Sequence, residues 1–212
     1  MSTTITPISK RDNEMFRSAI FASNALKNLE KLKEKLKNAY LDNPGDITNA
    51  LGFGIFSIVP SQVDDPVEQK ESLEDAIDAF EKILEKDPNH WLSLYYKNKL
   101  KSLFSSYYGE EEEIIAGIKE LIDRQNQSEH RPYFVLPYIL MVDILLTGSS
   151  ADKDGALEFL TKAENLPREA VKDHYLLGFL FMELDKKLRM SGEDDLAERV
   201  IRLGHEYFPD IM

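Results

Sequence analysis

From Pro66 to the C-terminus no stretch alternates apolar and polar residues as a half-buried strand would; apolar side chains recur at spacings of three and four. That period restricts the chain to helices. It predicts helices near 67–86, 90–107, 110–126, 131–148, 153–165, 168–190 and 193–207. The breaks are Asp87-Pro88, Gly109, Ser128 to Pro132, Gly148-Ser149-Ser150, Pro167 and Ser191-Gly192. Upstream, Phe21, Ala25, Leu29, Leu32, Leu36 and Tyr40 form the stripe of one long amphipathic helix over Lys10–Tyr40, closed by Asn43-Pro44-Gly45. Ile47 to Pro60 is apolar but carries two glycines, and reads as an ordered crossover packed on the bundle. The expectation is an all-α fold of about eight helices, with 1–66 as helix plus crossover and 67–212 as one continuous globular unit.

Within 67–212 a pattern repeats. Ala76, Phe80, Ile83 and Pro88 recur as Ala156, Leu160, Ala163 and Pro167, and again as Ala197, Ile201, Gly204 and Pro209. An alanine lets a partner helix approach, a large apolar residue one turn on fills the gap, and proline stops the helix. Upstream stand Ser72/Asp75, Ser149/Asp152 and Ser191/Asp194, spaced like capping boxes. Residues 110–126 keep a weaker copy in Ile114, Ile118 and Leu121.

SLEDAIDAFEKILEKDPNH resembles the second-helix signature of the tetratricopeptide-repeat family, and HYLLGFLF, with Leu177, Gly178 and Phe181, resembles the first-helix signature. The resemblance covers about 68–209. Its copies lie 38 to 42 residues apart, against the family's 34, and Asn98 stands where a glycine is expected. The proline-broken stretch SIVPSQVDDPVEQK precedes the first signature helix, so the long first helix is expected to replace the missing partner. The resemblance implies antiparallel hairpins stacked as a short solenoid, with a concave wall lined by the first helix of each hairpin. It implies partner-binding residues on that wall at Tyr95, Lys99, Tyr138, Tyr175, Phe179 and Met182. Trp91 is placed at a hairpin entry as packing.

Composition narrows the partners. The net charge is −12, with eight Lys/Arg against four Asp/Glu in residues 1–40 and 18 against 34 in the remainder. So acidic a body repels nucleic-acid phosphates and anionic lipid, which leaves another protein or peptide, a basic one by charge. Self-association is left open. Cysteine is absent, and neither a secretory leader nor a membrane-length apolar run is present, so the expected location is cytoplasmic.

The sequence carries few signs of catalytic chemistry. His90, His130, His174 and His205 lack partner ligands at metal-site spacing, and His90 and His130 sit in polar turns where solvated side chains are expected. No phosphate loop, His-Glu-x-x-His or Gly-x-Ser-x-Gly occurs. Asp64/Asp65/Glu68 and Asp194/Asp195/Glu198 resemble the magnesium-holding motifs of helical prenyl transferases, but Pro66 interrupts the first, and the second suits a helix N-terminus. The expectation is therefore no enzyme, no cofactor and no metal. An interaction module or adaptor ranks first, an inhibitor or immunity-type protein blocking a basic partner second, and a magnesium-dependent prenyl-diphosphate enzyme last.

Overall fold

The structure, a computed structural model, describes residues 6, 9–12, 14–15, 18, 29–57, 66–103, 111–128, 135–148, 151–167 and 175–208. Among the described residues the regular structure is all helix, with no strand. Among the described residues, helical backbone at 10–12, 14–15 and 18 is followed by nine helices in order: α1 (Leu29–Asp42), α2 (Ile47–Ser57), α3 (Pro66–Lys86), α4 (Trp91–Leu103), α5 (Glu111–Asn126), α6 (Leu136–Thr147), α7 (Lys153–Glu164), α8 (Tyr175–Met190) and α9 (Asp194–Tyr207). They belong to two compact units, Ile5–Leu103 and one containing Phe104–Met212. No helix among the described residues is long and apolar enough to cross a membrane.

In the first unit α2 is the hub. Ala50 through Phe56 are all buried, and α1 and α3 pack against this helix. The expected crossover is thus an α-helix. Glycine costs up to about 1 kcal/mol inside a helix, and here close packing outweighs that cost. A Cβ on Gly54 would stand 3.0 Å from Cζ of Phe80, and one on Gly52 would stand 3.2 Å from Cδ2 of Leu36. A side chain at either position would require Phe80 or Leu36 to give way by a few tenths of an ångström. Asp46 caps the helix by accepting from the amides of Thr48 (2.8 Å) and Asn49 (3.0 Å), and those bonds hold its carboxyl below the usual range.

Two further expectations change. Besides α4, α3 packs on α2, whereas α1, the latter part of the expected long first helix, packs on α2 and reaches α3 through a Lys37–Asp75 ion pair of 3.0 Å. Ser72 and Asp75 lie inside α3, which starts at Pro66, a residue suited to the first helical position, so they cap nothing. The repeat register holds better: Ala76, Phe80 and Ile83 are completely buried, between α2 on one side and α4 on the other.

The start of α4 buries a histidine expected in solvent. His90 Nδ1 accepts the Ser93 amide at 3.3 Å and lies 2.8 Å from its hydroxyl, so the imidazole acts as the N-cap. Thr6 accepts the Trp91 amide at 3.2 Å and donates its own to the Asn89 carbonyl at 2.9 Å. Nearby, Ser9 and the buried Asp12 exchange reciprocal capping bonds of 2.8 and 3.2 Å. Burial pushes the His90 imidazole below its ordinary value of 6.5, while the Asp12 and Asp87 carboxylates pull the other way. A histidine depressed in the fold protonates more readily when unfolded. Its contribution is therefore complete above 6.5 and is lost as pH falls through the lower folded value. His90→Asn keeps a capping acceptor but does not titrate, and should flatten the loss of stability between about pH 7 and about pH 5. Fluorescence of Trp91, the only tryptophan, reports the melt. Equal slopes in the two proteins would mean that His90 stays neutral or is solvated throughout.

In the second unit α6 is the hub. Every residue from Leu136 to Ile144 is buried, with α5, α7 and α8 packed around them. Helices α6/α7 and α8/α9 form two packed pairs. Their buried small residues correspond: Ala156 and Ala163 on α7, Ala197 and Gly204 on α9. Ile201 is half-buried, and Val200 beside it takes the core position. Asp152 caps α7 through the Gly155 amide at 2.9 Å. Ser191 instead donates to the Leu188 carbonyl at 2.9 Å, closing α8, so it opens no capping box. Ser149 and Pro209 lie outside the described residues.

Candidate functional site

Ala156, Leu160 and Ala163 turn one face of α7 into the core, which leaves Glu158, Thr161, Lys162 and Asn165 facing outward. Beneath that outward edge lies Tyr138 of α6, 6% exposed. Its hydroxyl accepts from Nδ2 of Asn126, at the end of α5, at 2.9 Å. Its ring meets Phe159 of α7 at 6.3 Å between centroids. Lys162 places its ammonium 4.8 Å from the Phe159 centroid and 2.6 Å from Glu158.

Two clefts open to solvent meet at these residues. One, of about 540 Å³, runs from Tyr138 along α7 past Leu157, Thr161 and Leu166. The other, of about 370 Å³, lies between α5 and α7 and takes in Lys119, Ile122, Asp123 and Phe159. Tyr138 and Lys162 line both. Together they form a shallow groove with an aromatic floor, apolar patches and charges of both signs. Such a groove suits an extended chain, whereas a small ligand needs a site that encloses most of its surface. Charge is concentrated on this unit: residues 104–212 carry 12 Lys/Arg against 22 Asp/Glu, and residues 5–103 carry 14 against 16.

The residues expected on a concave wall fall on both units. Tyr95, 1% exposed, is core: it stacks on Trp91 at 5.1 Å and meets Tyr96 edge-on at 5.3 Å. It offers no contact surface, because α4 is buried on more than one face. Lys99 is half-buried on the same helix. Tyr138 is the floor of the groove, and Met182 is exposed at 44% on α8. Tyr175 and Phe179 fall in α8, but their side chains lie outside the described residues, as do His130 and His174. Phe159 and Lys162 are not among the residues that the sequence suggests. The available signal was an aromatic left among charges on the outward side of α7, with Glu158 and Lys162 spaced i,i+4.

Among the described residues no group of His, Asp or Glu is placed to hold a metal ion. Compared with known proteins, the chain matches no family model, no curated protein and no solved structure.

Proposed function

We propose that the chain is a protein-interaction module, an adaptor that holds a basic segment of a partner polypeptide in the groove over Tyr138. The observation that carries this reading is the open groove between α5 and α7 with its Tyr138–Phe159 floor, on the unit that bears most of the negative charge. A tetratricopeptide-like arrangement of α6/α7 and α8/α9 fits the same picture. Asp143 of α6 pairs with Lys187 of α8 at 2.8 Å, and Glu164 of α7 pairs with Arg199 of α9 at 2.7 Å. First helix thus meets first helix and second meets second, as in stacked hairpins. In that arrangement the groove lies on the side of the second helices, away from the wall of first helices expected from the resemblance.

A photo-crosslinking residue at Thr161, within the groove, should capture the partner in the native host. The same residue at Glu112, exposed on α5, should not. Phe159→Ala should weaken the association by about 1 kcal/mol or more, and high salt should weaken it further as the screening length falls to about 3 Å at 1 M. Capture at both positions alike, or an unaffected Phe159→Ala complex, would move the site elsewhere. A surface-blocking inhibitor, the second reading of the sequence, would not yield its partner to a short basic peptide, whereas a groove binder would.

A further inference from the structure

We infer that Lys162 occupies, from within the chain, the position that an arginine of the bound partner takes: over the Phe159 ring and beside the Glu158 carboxylate, at the edge of the cleft that Asp123 also lines. The inference rests on the groove being a peptide site and specifies what that site recognises. Lys162 is the wall common to both clefts, and its ammonium already makes the contacts a bound cation would make. The side chain is 49% exposed and Glu158 65%, so their ion pair is solvated and contributes little to stability. Swinging the lysine into solvent costs little and joins the clefts over Tyr138. A guanidinium gains more there than the ammonium it displaces, because its plane stacks on an aromatic face and its fork fits a carboxylate. Two cations cannot share the ring, so lysine and partner compete.

This competition fixes the sign of a mutation. If the partner were acidic, Lys162 would be part of the attraction and its loss would weaken binding. If the partner supplies an arginine, removing Lys162 tightens binding. The probe is a fluorescein-labelled peptide of alternating arginine and leucine, titrated by anisotropy against the full chain. Its control replaces every arginine with citrulline, which keeps the shape and removes the charge. Lys162→Met should lower the Kd about fivefold or more. Lys186→Met, the same charge change at an exposed position on α8, should change it less than about twofold, as expected for a screened distant charge. Phe159→Leu should weaken binding and, added to Lys162→Met, abolish the gain.

Thermal melts confirm that each variant is folded. If Lys162→Met binds no tighter than the parent while Phe159→Leu still weakens binding, the inference falls and the groove stands. If Phe159→Leu also changes nothing, or the citrulline peptide binds equally well, the reading of the groove falls with it. An arginine peptide that binds none of these proteins overturns both.

Discussion

Phe80→Ala is expected to destabilise the Ile5–Leu103 unit by about 3–5 kcal/mol, the usual cost of truncating a phenylalanine in a core that cannot fully collapse. The ring is completely buried, lies against the backbone of Gly54 in α2 and stacks on Tyr96 of α4 at 5.8 Å. Its removal unpacks two helix contacts at once. The complementary change is Gly54→Ala. Its new methyl would sit 3.0 Å from Cζ of Phe80, with the other edge atoms at 3.2 and 3.3 Å, so the ring must move. Overpacking of this kind costs about 1–3 kcal/mol. In a Phe80→Leu background the obstructing ring is gone, and the glycine substitution should cost far less, a departure from additivity expected of residues in contact. Urea unfolding followed by Trp91 fluorescence measures all four corners of the cycle. A Phe80→Ala loss below about 1 kcal/mol, or strictly additive corners, would show that the ring does not join α2 to α4.

That contact marks the border of what the sequence discloses. Ala76, Phe80, Ile83, Ala156, Leu160, Ala163 and Ala197 are all buried where the repeat places them, because spacing of three and four encodes one inward face. The same logic misses α2. A helix buried on every side has no polar face and so no period, and its glycines answer to Leu36 and Phe80, which are distant in the chain. His90 is missed likewise, since its burial involves Thr6 and Asp12, far upstream. At the site, Tyr138 was legible as an aromatic near the start of a helix, but inward and outward aromatics look alike without the neighbouring helix. Tyr95 therefore reads from the sequence as a surface residue although it belongs to the core. Phe159 and Lys162 gain meaning only when α5 and α6 are brought beside α7.

Lys187→Met should cost about 1–3 kcal/mol, whereas Asp143→Asn should cost less than about 1 kcal/mol, although both break the same ion pair. The asymmetry follows from burial. The Asp143 side chain is 9% exposed and receives the Lys187 ammonium on both oxygens, at 2.8 and 2.9 Å. The Thr147 hydroxyl is 3.4 Å from the carboxylate and bonds more closely, at 2.7 Å, to the Asp143 carbonyl. Removing the lysine therefore leaves a desolvated carboxylate with little to replace its partner. Removing the charge on aspartate instead leaves an ammonium that is 40% exposed and can turn to water, so the expected cost stays at the low end. In an Asp143→Asn background, Lys187→Met should then cost almost nothing. Urea unfolding by far-ultraviolet dichroism gives the three losses, and hydrogen exchange at the α6 amides locates them. Equal losses in the two single variants would mean that water reaches Asp143. A neutral Lys187→Met would mean that α8 is held to α6 by apolar packing alone, and the clamp between first helices would lose its place in the case for stacked hairpins.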